Sequence, residues 1–354
     1  MNVNEDYSGN VIGKYKLIKK LGNGNFGSVY LVHDEILNTD KALKLLQIKD
    51  LKKAKKLFLE AEIPYKCNHK NIIEIYGGEI LSVTNTATHV SELLFAIDME
   101  LINGLSVEKL LTKQYLTLDY SLKMIQGVLF GLEHSHNQGI IHRDIKPGNI
   151  LIDNKIPKLS DFGLASSLGA LIDPPDGYIP HMAPETIDNN IATIESDIYA
   201  LGITFYRMIN NISNWQEYLN NFFCSIDDLN NDIISGQFIK KLNFQPYIPE
   251  KVKKIIKKAC ALNPSERYHS AAEMRNAIAK LHTNYEWNKI SDLQWQGINQ
   301  DKKKKELTIE EKGKIFKFIV KNNNRKSSAE CHDFTKIEDA ISYMNNYIKD
   351  SLLK

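Results

Sequence analysis

Cysteine is scarce in this chain of 354 residues, with only Cys67, Cys224, Cys260 and Cys331, all far apart in sequence. No C-x-x-C pair exists, which argues against a zinc ribbon and against a disulfide framework and leads us to expect a reducing compartment. Long apolar runs are missing as well, and residues 1–13 are polar without an apolar leader. Neither a bilayer-spanning helix nor a signal segment is therefore expected, and the reading is a soluble, cytoplasmic protein with no membrane partner. Charge of one sign is not in excess, since 45 Lys and Arg face 43 Asp and Glu for a formal +2. That balance does not imply a polyanion partner for the whole molecule, and any nucleic-acid role would need a local patch.

What is present suits a globular protein of two or three packed units: 43% hydrophobic and 25% charged residues. Residues 15–46 are short and β-like, punctuated by Gly22, Gly24 and Gly27, and predict a glycine-tipped hairpin followed by a further strand. A helical pattern covers 49–67, and strand patterns follow at 72–80 and 93–99. After Gly104 helices take over, at 118–138 with Thr117 or Asp119 as cap, at 196–210, at 249–260 and at 270–282. Residues 210–246 are Asn-rich and read as irregular. Beyond 282 the alternation returns at Leu293 and Trp295, Leu307 and Ile309, and Phe316, Phe318 and Val320. A capping box at Thr335 and Glu338 and an apolar stripe from Ile337 to Leu352 predict one closing helix.

Gly22-Asn23-Gly24-Asn25-Phe26-Gly27-Ser28-Val29 has the G-x-G-x-x-G-x-V form, in which missing Cβ atoms let backbone amides approach a phosphate. An ordinary β-turn is the plain alternative, and a dinucleotide loop is disfavoured because strand rather than helix follows. Lys44 and Glu60, each taken alone, read as solvated charges. The deciding constellation is His142-Arg143-Asp144-Ile145-Lys146-Pro147-Gly148-Asn149, then Asp161-Phe162-Gly163, then Ala183-Pro184-Glu185. With these motifs in this order, from about Tyr15 to Leu281, the chain resembles the eukaryotic-type (Hanks-type) serine/threonine protein kinase family.

The resemblance implies an α+β, bilobal kinase-like fold: a polar tail at 1–13, a kinase domain at 14–282 with lobes 14–102 and 103–282, and an accessory α/β module at 283–354. It implies transfer of the γ-phosphoryl group of ATP, with Mg²⁺, to a protein Ser or Thr, and autophosphorylation with it. Asp144 would be the catalytic base, Lys146 would meet the γ-phosphate, and Lys44 would hold the α/β-phosphates with Glu60 as its ion-pair partner. Asn149 and Asp161 would be the metal ligands. Leu21, Val29, Ala42 and Leu151 would sandwich adenine below the three glycines, with Met99 as gatekeeper and the backbone from Glu100 to Ile102 at the base edge. Supporting roles fall to His142 and Phe162 in an internal spine, to a Glu185–Arg267 pair, and to Asp197 as a buried anchor.

Departures from the family pattern are Pro64, four residues after Glu60, and Tyr178 and His181, where the family has threonine and an aromatic residue. Arg143 suggests control by activation-segment phosphorylation at Ser166, Ser167 or Tyr178, or by the carboxylates Asp173 and Asp176 without modification. The run Lys302–Lys305 beside Trp287 and Trp295 admits a nucleic-acid reading, but a solvated loop over core tryptophans is favoured. Docking or homodimerisation is the preferred role for 283–354.

Overall fold

The computed structural model describes residues 6–24, 27–48, 62, 65–84, 91–167 and 177–354. The first unit is an antiparallel sheet of β1 (Val11–Ile12), β2 (Tyr15–Gly24), β3 (Gly27–Asp34), β4 (Thr39–Gln47), β5 (Ile75–Thr84) and β6 (Ser91–Met99), in the order β1-β2-β3-β4-β6-β5. Side chains alternate across its faces with the period of two that strands impose. Tyr15, Leu17, Tyr30, Leu43 and Leu45 fill an outer core, while Ala42, Leu46, Phe95, Ile97 and Met99 form an inner one. The expected strand at 72–80 begins at Ile75. The expected helix at 49–67, with Glu60 and Pro64, lies outside the described residues except for Glu62 and residues 65–67.

The second unit is helical: α1 (Val107–Lys113), α2 (Leu118–Asn137), α3 (Pro184–Asn189), α4 (Ile194–Ile209), α5 (Trp215–Asn220), α6 (Ile226–Ile234), α7 (Phe238–Lys241), α8 (Glu250–Ala259) and α9 (Ala271–Ala279). Short strands β7 (Ile140–Ile141), β8 (Ile150–Asp153), β9 (Ile156–Leu159) and β10 (Ser166–Ser167) carry the loops on its upper side. Thr117 caps α2 by accepting from the Tyr120 amide, so Asp119 is not the cap. The interval read as irregular contains α5, α6 and α7. Asn214 and Ser225 cap the first two through their side chains, and helices this short leave too few turns for a period to be read. Helix α4 is buried on every side, its polar residues Asp197 and Arg207 included.

The third unit is a sheet of β11 (Tyr285–Ser291), β12 (Gln294–Asn299), β13 (Lys304–Lys312), β14 (Ile315–Asn322), β15 (Arg325–Lys326) and β16 (His332–Phe334), closed by α10 (Ile337–Leu352). The capping box does not form: α10 starts at Ile337, with Lys336 in the cap position and no side-chain cap bond. Trp287 lies between sheet and helix, its indole donating to Ser351 Oγ at 2.9 Å.

The apolar core runs unbroken from the helical unit into this sheet. Trp295 stands edge-on to Tyr115 and Tyr247, with centroids 5.5 and 4.9 Å away. Thr117 and Thr283 donate to Glu286 and Asp119, both at 2.8 Å, and the chain end is tied back by Lys354 N to His282 O at 2.8 Å. Deleting a buried tryptophan from such a site costs about 3–5 kcal/mol. Trp295→Ala in the full chain should therefore lower urea stability by roughly that amount. A loss under about 1 kcal/mol would mean that the third unit packs only loosely on the second.

Candidate active site

Between the first two units lies a cleft of about 630 Å³. Leu21, Gly22, Val29, Ala42, Lys44, Met99, Glu100, Ile102, Leu151, Asn149 and Asp161 all line it. Gly24 and Gly27 instead pair with each other at the hairpin tip. A Cβ at Gly27 would come within 2.2 Å of the Leu45 carbonyl, so only glycine lets β3 run this close to β4. Ile73, Ile75 and Ile97 form an apolar back wall that motif reading passed over. The i, i+2 spacing of Ile97 with Met99, and of Ile73 with Ile75, was the available signal.

Glu100 spends its amide on the Glu74 carbonyl at 3.0 Å and its carboxylate on Lys158 at 2.7 Å, which leaves its carbonyl for the cleft.

The loop from His142 to Asn149 hangs from one buried carboxylate. Asp197, on α4, accepts from the His142 amide at 2.8 Å, the Arg143 amide at 2.8 Å and His136 Nε2 at 2.9 Å. Burial would raise its pKa, but His136 and the bonds at His142 outweigh burial and hold it below the usual carboxylate value. Arg143 adopts φ 71° and Asp161 φ 63°, left-handed conformations that cost a side-chain-bearing residue about 1–3 kcal/mol and mark functional loops. His142 Nδ1 accepts from the Asp144 amide at 3.3 Å, so its Nε2 carries the proton given to the Ser160 carbonyl at 3.1 Å. Its ring packs on Phe162 at 4.5 Å, the contact expected of the spine pair.

Asp144 is held from one side only. Its Oδ2 accepts from Lys146 Nζ at 2.6 Å and from Asn149 Nδ2 at 2.8 Å, while Oδ1 bonds to none of the described residues. Asn149 Nδ2 gives its second proton to the Asp144 carbonyl at 2.8 Å. Both amide protons are thus spent, and the Asn149 oxygen is left as an acceptor or ligand. Across the cleft Lys44 Nζ lies 2.9 Å from Asp161 Oδ1. Burial would raise the Asp161 pKa, but Lys44 above all, then His142 and Lys146, keep it below the usual carboxylate value and charged.

The free oxygens of Asn149 and Asp161 fit a hard divalent cation that completes its shell with phosphate and water. Among the described residues no cluster of three or more His, Cys, Asp and Glu could hold such an ion alone. The Lys44–Glu60 pair lies outside the described residues.

Below the loop, Arg267 meets Glu185 with two bonds of 2.8 Å, the pair expected from the sequence. Sequence reading missed Arg207, whose signal was a cation inside an otherwise apolar helix. Its side chain is 2% exposed, bonds to Glu108 Oε1 at 2.7 Å, lies over Trp215, and reaches His181 Nε2 at 3.5 Å.

These motifs match the model of the protein kinase domain over residues 15–278. The chain belongs to the protein kinase domain family. It is similar to the serine/threonine-protein kinase PrkC of Bacillus subtilis strain 168, at 28% identity over 283 residues, 76% of this chain and 40% of that protein. A serine/threonine-protein kinase PknB of Mycobacterium tuberculosis strain H37Ra is 27% identical over 290 residues, 76% of this chain and 43% of PknB. The chain thus spans about two-fifths of the length of these curated relatives. Residues 283–354 lie beyond the matched family model. Among the described residues no helix is long and apolar enough to cross a membrane.

His181 supplies a pH test of this kinase fold. Burial first, then Arg207 and Lys146, hold its pKa well below the ordinary 6.5. Below that value the unfolded chain binds a proton that the folded one refuses, so stability falls as pH drops, by up to about 1.4 kcal/mol per pH unit from this group. Asp161 and Asp197, with depressed pKa values, lose their contribution only below the ordinary Asp value of 3.8. His181→Phe should therefore flatten the decline in urea stability between pH 7 and 5.5 relative to the native chain. Equal slopes would mean that the imidazole takes its proton without cost.

Proposed function

We infer that this chain is an ATP-dependent protein kinase that phosphorylates serine or threonine, itself among its targets. The observation that carries the reading is the one-sided fixing of Asp144: Lys146 and Asn149 occupy Oδ2, and Oδ1 remains for the proton of an incoming hydroxyl. Phosphoryl transfer asks the protein chiefly for positioning and for charge neutralisation. Asp144 would orient the acceptor hydroxyl and take its proton, and Lys146 would neutralise the transferring group. Lys44, with Glu60 as partner, would hold the inner phosphates under the Gly22, Gly24 and Gly27 hairpin. Leu21, Val29, Ala42, Met99 and Leu151 would pack against adenine, with Glu100 and Ile102 at its edge. Asn149 and Asp161 would hold Mg²⁺, which when bound supplies charge neutralisation between phosphate oxygens.

Serine or threonine as acceptor follows from Lys146 and from the relatives' names; the Ala183-Pro184-Glu185 segment braced by Arg267 suits a protein substrate. The division into 1–13, 14–282 and 283–354 is proposed on the same footing, with the last unit docking a substrate or a second copy through the sheet face where Asn288, Gln296 and Ile298 are exposed. Nucleic acid is not the favoured partner, because Lys305 is turned onto Tyr347 and Glu330 and Lys321 faces Glu306. A reducing, cytoplasmic setting goes with the four unpaired cysteines.

Asp144→Asn keeps the shape of the loop but removes the base, and should lower transfer to a serine peptide roughly 10²- to 10⁴-fold with nucleotide binding intact. Phosphoamino-acid analysis of the native reaction should return phosphoserine or phosphothreonine. Undiminished turnover in the variant, or phosphotyrosine as the main product, would contradict the reading.

A further inference from the structure

Tyr178 stands where the family has threonine, and it is not a longer hydroxyl in the same service. Its ring, half-buried, lies under the Lys146 ammonium, with Nζ 5.7 Å from the centroid. Its hydroxyl hydrogen-bonds to none of the described residues. We propose that Tyr178 is a positioning residue that holds Lys146 for transfer through the face of its ring. This rests on the kinase reading above.

Three features fix the ring. Gly177 adopts φ 143°, a backbone conformation that side-chain-bearing residues rarely take, and so sets the direction in which Tyr178 leaves the chain. The Tyr178 carbonyl accepts from the His181 amide at 2.9 Å and closes a tight turn. His181 then packs on the ring at 5.6 Å and 38°, and is itself backed by Trp215 at 6.1 Å. Arg207 Nη1 lies 3.5 Å from His181 Nε2, and Thr204 Oγ1 lies 3.4 Å from its Nδ1. Arg207 is fixed in turn by Glu108 of α1.

The reason Lys146 needs such a support is its stem. An ammonium on four methylenes has many rotamers, and its carboxylate partner, Asp144 Oδ2, is shared with Asn149. An aromatic face attracts a cation without competing for its protons, so Lys146 keeps donors available for the transferring group while its position is restricted. A threonine hydroxyl, being an acceptor, would hold the ammonium by consuming one of those donors.

The full-length protein tests this with Tyr178→Phe, Tyr178→Leu, and Phe analogues bearing two or three ring fluorines, which weaken the ring's electrostatic face at nearly constant shape. The readouts are kcat for transfer to a serine peptide at saturating ATP, nucleotide Kd, melting temperature, and the ring-current shift of the Lys146 ε-protons. Y178F should stay within about twofold of wild type, fluorination should lower kcat stepwise to roughly tenfold below, and Y178L should fall on the order of tenfold. Melting temperature and Kd should hold across the fluorinated series even if Y178L folds poorly. The upfield ε-proton shift should be present in the wild type and Y178F. Indifference of kcat to fluorination, or a loss in Y178F equal to that in Y178L, would overturn the positioning role alone. Absence of transfer by the wild type with the ring-current shift present would overturn the kinase reading, and the role with it.

Discussion

A carboxylate buried in helix α4 is the interaction on which the site depends. Asp197 gives its oxygens to two consecutive backbone amides and one imidazole, and so converts a loop that would otherwise be free into a fixed platform. Burying a charge is costly unless it is paired and hydrogen-bonded, and three donors offset that cost here. Arg143, whose amide makes the second of these bonds, takes up the left-handed backbone with φ 71°.

From that platform the rest of the site takes its charge pattern. Asp144 points one oxygen at its own lysine and asparagine and the other away, while Asp161, on a second strained residue, faces Lys44 of the β-sheet. The two carboxylates differ in their direct partners, Lys146 and Asn149 for the first and Lys44 for the second. Two neighbouring side chains are steadied by packing, His142 against Phe162 and Lys146 over the Tyr178 ring. Contacts from Tyr178 through His181 and Arg207 to Glu108 join the loop to helix α1.

Much of this was legible in the chain alone, for a physical reason. Asp144, Lys146, Asn149 and Asp161 stand in the motifs that carry the kinase resemblance, and their spacing within short loops is set by the backbone itself. The resemblance to the kinase family likewise placed Ala42 and Met99 in the cleft. What could not be read was direction and distance across the fold. Tyr178 was visible as a departure, but spacing says nothing of whether ring or hydroxyl meets Lys146. The packing of Trp295 on Tyr115 and Tyr247 joins segments remote in sequence, and no local pattern encodes it. The helices around Trp215 and Leu229 are too short to show a period, and Thr335 failed as a cap because the last strand, β16, ends only at Phe334 and the helix starts late.

The central claim is that Asp197 holds the catalytic loop, and replacement by asparagine tests it most directly, since the shape is kept and the acceptor capacity is reduced. Amide hydrogen exchange of Asp197→Asn, followed at His142 and Arg143 beside strands β4 and β6, separates a local release from general unfolding. The account predicts fast exchange at those two amides with the sheet still protected, together with loss of phosphoryl transfer. Protection at His142 and Arg143 equal to that of the native chain, with transfer undiminished, would contradict it.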